Sequence, residues 1–168
     1  MAFGTLAALA LLLGTLAPAA TGRASAATPQ SRVTILEKVR FAADLGTGFF
    51  AFHHFVYARY QNGGFSSGAS ERVRNIAKAA VALLFSYHQL RAAQKVANNS
   101  KSPTLHALAT PLNALDNRVN QVYSDLHNGQ YHPGEITSLN NSYNSYNTRS
   151  TAAGYAVKDV PAALPGAA

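Results

Sequence analysis

The sequence predicts an all-α fold: an up-down-up-down four-helix bundle of long antiparallel helices behind a cleaved N-terminal signal segment. Three observations lead there. Ser70 to Asn98 contains no Gly or Pro, and it places Val73, Ile76, Ala80, Leu83, Tyr87 and Leu90 at intervals of three and four. That is the stripe of an amphipathic helix, where a strand would need alternation. Three further segments repeat the spacing and are separated by Asn-Gly, Ser-Pro and His-Pro-Gly turn signals. Short connectors between long helices then imply antiparallel neighbours.

The chain of 168 residues opens with twenty uncharged ones. Leu6 to Leu16 is a compact apolar run, Pro18 follows, and Ala24-Ser25-Ala26 has the small-residue pattern of a signal-peptide cleavage site. Residues 1–26 are therefore read as a signal peptide of bacterial kind, 27–157 as the helical domain, and 158–168 as a flexible C-terminal tail. The expected location is secreted or extracellular. The alternative is a membrane anchor through residues 1–20, which are just long enough to cross a bilayer. Cys is absent, so an exported domain must rely on apolar packing, with no thiol for redox or metal chemistry.

The first mature helix is expected at Thr34, where Thr34 and Glu37 have capping-box spacing. Ile35, Val39, Ala42, Gly46, Phe49, His53, Val56 and Tyr60 continue as one stripe to the stop signal Asn62-Gly63-Gly64. Each glycine of Gly46-Thr47-Gly48 costs about 1 kcal/mol relative to Ala inside a helix. Close approach of a neighbour would offset that cost; a kink opening a pocket beside Phe49 and Phe50 is the other reading. Ser70 is placed to cap the second helix. Ser102-Pro103 opens the third, with Ser as cap and Pro in the first turn. There Leu105, Leu108, Leu112, Leu115, Val119, Val122 and Leu126 form the cleanest heptad, and Pro111 is expected to kink it. In the fourth segment Ile136, Leu139, Tyr143 and Tyr146 keep helical spacing, with Ala153 and Val157 as an extension. The Ser and Asn between them compete for backbone hydrogen bonds, so tertiary contact must hold this helix.

The net charge is +7, unevenly spread. Residues 27–101 carry ten Lys/Arg against three acids, and residues 102–168 carry three against four. Arg59, Arg72, Arg74, Lys78, Arg91 and Lys95 are the candidate residues for contact with an anion or partner. Such a field attracts anionic polymers, anionic lipid headgroups or acidic proteins. Outside a cell, an anionic envelope polymer or an acidic protein is the expected partner rather than nucleic acid.

Setting the helices side by side places Asp44 level with His88. It also gathers His53, His54, His127 and His132 at one end, among Tyr57, Tyr60, Tyr123 and Tyr131. His53, His127 and His132 are the candidate ligands of a metal- or haem-binding bundle, because imidazole suits zinc, copper or nickel. Two features oppose it: His53 and His54 point about 100° apart on a helix, and no Glu-x-x-His pair is present. Asp44 and His88 have the composition of a general-base pair, the basis of a third reading as a small hydrolase. No nucleophile elbow, phosphate loop or dinucleotide fingerprint accompanies them. Seven acids in the whole chain also disfavour glycosidase chemistry. No catalytic residue or cofactor is assigned.

The segment FFAFHHFVYARYQNGGF, followed by the Ala-rich helix ending FSYHQLRAA, resembles a group of small exported, uncharacterised helical proteins of actinobacteria. The resemblance spans residues 34–128. It implies an exported helical protein and supplies no site residues. The expectation is thus an exported binding or interaction protein, not an enzyme, whose basic first hairpin meets an anionic surface or partner.

Overall fold

The structure, a computed structural model, describes residues 29–164; the expected signal segment at 1–26 lies outside them. All regular structure among the described residues is helical, so the chain is all-α. None of these helices is long and apolar enough to cross a membrane.

Helix α1 (Pro29–Phe52) runs into a π-helical segment (His53–Tyr57) and a short α2 (Ala58–Gln61). It begins before Thr34, so Thr34 is not its cap, and the Glu37 carboxylate instead accepts a 2.8 Å hydrogen bond from the Ser100 hydroxyl. The core face of α1 is Phe41, Leu45, Phe49 and Phe52, continued by Val56. This stripe is rotated from the expected one, and Ile35 and Val39 are exposed as a result. At Glu37, α1 is already level with Ser100, just beyond the end of the facing helix, so the turn before it projects past its neighbour.

The π segment was not foreseen. It closes an Ala58 N–H to His53 C=O bond, adding a residue to the turn. Phe52 at its border stacks on Tyr143, with ring centroids 4.3 Å apart.

Helix α3 (Arg72–Asn99) buries Ile76, Ala79, Ala80, Leu83, Leu90, Ala93 and Ala97. Val73, expected in this stripe, is exposed. Glu71 rather than Ser70 occupies the N-cap, with no side-chain cap. Small residues along α3 let α1 approach closely: a Cβ on Gly48 would sit 3.3 Å from Gln89 Cβ and 3.4 Å from the Ser86 carbonyl.

The third segment is two helices, α4 (Pro103–Ala107) and α5 (Ala109–His127). Pro111 cannot donate to the Ala107 carbonyl and its ring crowds it, so the helix breaks at Leu108. Ser102 caps α4 by accepting from the Leu105 N–H, with Pro103 in the first turn. All seven apolar heptad residues are buried. Helix α6 (Pro133–Ala152) forms despite its Ser/Asn content, held by buried Ile136, Leu139, Tyr143 and Tyr146.

Helices α1 and α3 meet in reverse order. Glu37 and Gly48 of α1 meet Ser100 and Ser86 near and on α3. Arg91 of α3 meets Asp116 of α5, and Arg118 of α5 meets Ser138 of α6. Tyr60 of α2 meets Thr137, and Phe49 meets Tyr146.

Residues 158–164, expected to be a loose tail, lie against α1, as do the residues just before them. Tyr155 is buried edge-on to Phe41, the Val160 N–H donates to the Gly46 carbonyl at 3.0 Å, and Leu164 is buried. A Cβ on Gly46 would overlap the Lys158 carbonyl and stand 2.7 Å from Val160 Cγ2. Close packing explains both glycines. At Gly46 the close neighbour is this C-terminal segment, and at Gly48 it is a helix.

Candidate functional site

The basic residues of α1 to α3 divide into those that hold the structure and those left to solvent. Arg59 donates to the Asn75 side chain at 3.0 Å, and Asn75 in turn donates to the Gly64 carbonyl, bracing the connector after α2. Arg72 donates to the Phe65 carbonyl at 3.0 Å and lies over the Tyr131 ring. Arg74 pairs with Glu71 at 3.4 Å. Arg91 stands 3.5 Å from Asp116 and over Tyr87. Four of the six expected anion-binding residues therefore have internal partners; Lys78 and Lys95 have no ion-pair partner among the described residues.

A second group of cations lies at the other end of the hairpin, beside a groove between α1 and α3. Leu36, Glu37, Arg40, Lys95, Val96 and Asn99 line an open groove of about 470 Å³. Lys38 and Lys101 are exposed, and the Lys38 ammonium lies over the Tyr155 ring at 5.0 Å. The one acid of the lining, Glu37, accepts from the Ser100 hydroxyl through one of its two oxygens. Asp44, nearest along α1, is half-buried and pairs loosely with Arg40 at 3.9 Å. Burial pushes the Asp44 carboxyl above its ordinary value, with Arg40 opposing. Of the six residues expected to meet an anion, Lys95 alone lines this groove; Arg40 was not among them.

The histidines do not assemble a metal site. Among the described residues no group of three or more His, Asp or Glu is arranged to hold an ion. His53 Nδ1 lies 2.9 Å from an oxygen of Asp159, carried there by the C-terminal segment. His54 stacks on Phe50, His127 on Tyr123, and His132 is the residue before α6.

Asp44 and His88 make no hydrogen bond or ion pair with each other among the described contacts; Asp44 is paired with Arg40, and His88 is exposed. The carboxylate that feels His88 is Asp116. Asp116 is 0% exposed, and neither oxygen has a hydrogen-bond partner. The Arg91 distance is too long for a well-formed bond. Burial pushes its carboxyl up, and Arg91 and then His88 pull it down. Nearby, the Ser86 hydroxyl donates to the Gly48 carbonyl at 2.9 Å and meets the Tyr143 hydroxyl at 2.5 Å. Burial raises the Tyr143 phenol far above its ordinary value, so it stays a neutral hydroxyl. These groups form a buried polar centre that sequence reasoning missed. A signal was present: Asp116 is four after Leu112 and three before Val119, on the buried stripe itself.

No protein-family model matches the chain, and no curated protein or solved structure matches it significantly. The class defined so far is an all-α protein with a basic, partly apolar groove at one end.

Proposed function

We propose that this chain is an exported binding protein, an up-down-up-down four-helix bundle whose basic α1–α3 hairpin contacts an anionic surface or partner. The reverse-order meeting of α1 and α3 supports the bundle. One observation carries the function: Arg40 and Lys95 both line a groove that holds a single acid, Glu37. An anionic envelope surface, lipid headgroups or polymer, or an acidic protein is the matching partner class. Secretion after cleavage at Ala26 fits the leader. The metal or haem reading and the hydrolase reading gain no supporting contact from His53, His127, His132, Asp44 or His88.

The test is retention of the purified full chain on a sulfated-dextran matrix across a salt gradient. Exposed charges are screened over about 10 Å at 0.1 M salt, so retention should fall as salt rises and weaken in the Arg40→Gln/Lys95→Gln variant. Absence of retention, or retention indifferent to salt, overturns the proposal.

A further inference from the structure

The turn of α1 from Ile35 to Arg40, beside the C-terminal end of α3, exposes three large apolar residues. Ile35, Leu36 and Val39 are 55%, 68% and 62% exposed. Ile35 and Val39 are four apart, as are Leu36 and Arg40, so all four share one side of the helix. Lys38 flanks them, and Lys95 stands across the groove. Burying none of these side chains forgoes a stabilisation of about 1.5–3 kcal/mol each. A contiguous exposed apolar patch ringed by cations marks an interaction surface.

The chemistry selects the partner. A polyanion in water pairs with the cations and leaves the three apolar side chains wet. An anionic bilayer satisfies both sets. Its headgroups meet Lys38, Arg40, Lys95 and Lys101, and its acyl boundary receives the apolar side chains, the arrangement of an interfacial helix. We infer that this turn is a membrane-docking element, with Ile35, Leu36 and Val39 entering the surface of an anionic lipid bilayer beneath the basic groove. This rests on the proposed basic contact and specifies its target. Lysine and arginine stems reach along apolar surface and keep their charged heads at the phosphate level.

The experiment uses the full chain with vesicles of phosphatidylcholine alone or mixed equally with phosphatidylglycerol, and a sulfated-dextran matrix beside them. The chain has no Trp, so Leu36→Trp reports insertion directly. Its emission should shift to the blue on the mixed vesicles and not on phosphatidylcholine, while Val73→Trp, at the far end of α3, stays unshifted. Leu36→Ser/Val39→Ser should lower partitioning about tenfold or more, leaving dextran retention intact. Lys38→Gln/Arg40→Gln should lower partitioning roughly thirtyfold. Unshifted Leu36→Trp emission, or partitioning unchanged by the double Ser substitution, overturns the inference. Dextran retention without vesicle binding removes the lipid target and leaves the basic contact standing; failure on both removes both. A wild-type dimer dissolved by the double Ser substitution, or a lowered melting temperature, would show that the protein itself covers this face, and would also overturn it.

Discussion

Asp116 is the residue whose environment departs most from that of an ordinary side chain. A buried carboxylate without a hydrogen bond costs about 1–3 kcal/mol, and its nearest counter-charge, Arg91, is half in water. Its folded-state pKa lies above the ordinary value of 3.8. The folded protein therefore holds this proton more tightly than the unfolded chain, and stability linked to it is complete below that ordinary value and lost as pH rises through the folded one. Asp116→Asn removes the charge and keeps the shape. It should gain about 1 kcal/mol in urea unfolding at neutral pH, with the gain vanishing towards pH 4. Arg91→Gln should do the reverse, destabilising at neutral pH and not in acid. Helical periodicity showed where residue 116 points; it could not show that no donor would be waiting there. That depended on which side chains three other elements present.

At the scale of elements, legibility followed how local the cause is. The seven apolar residues of α4 and α5 and the cap at Ser102 were readable because spacing within one segment decides them. Pro111 was readable for the same reason, since its effect falls on its own preceding turn. The rotated core face of α1 was not. Two stripes that share Phe49 compete there, and the one carrying Phe41, Leu45 and Phe52 wins because the Phe41 and Phe52 rings pack on Tyr155 and Tyr143. That segment was the least legible element of all. Residues 158–164 have no period, and their place is set by Gly46, more than a hundred residues earlier in the chain. The dependence can be tested at Gly46 itself. Gly46→Ala should gain about 1 kcal/mol of helix propensity but force overpacking costing about 1–3 kcal/mol. The expected result is a net loss, together with faster exchange of the Val160 amide as its bond to the Gly46 carbonyl opens. Gly134→Ala, where a Cβ meets nothing within 4 Å, should be neutral or stabilising. Equal effects from the two substitutions would mean that the segment does not depend on Gly46.

For the whole molecule, the question is whether net charge or its placement governs association. The sequence already divided the chain into a basic half and a near-neutral half. What it could not show is that Arg59, Arg72, Arg74 and Arg91 turn to internal partners. Of the basic residues of α1 and α3, Arg40 and Lys95 are the pair that shares a groove. A charged patch acts through its local potential within about one Debye length, so two proteins of equal net charge should differ if their charges sit elsewhere. Arg40→Glu/Lys95→Glu and Arg118→Glu/Arg149→Glu change the formal charge by the same amount, the first at the groove and the second on α5 and α6. If placement governs, the first variant should elute from an anionic matrix at much lower salt than the wild type. The second should elute close to it, less the shift that a uniform loss of charge produces. Arg118 also donates to Ser138 at 2.9 Å, so both variants must first show wild-type helical signal and melting behaviour. Equal elution of the two folded variants would mean that the protein associates through its overall charge, and that the groove has no special part in it.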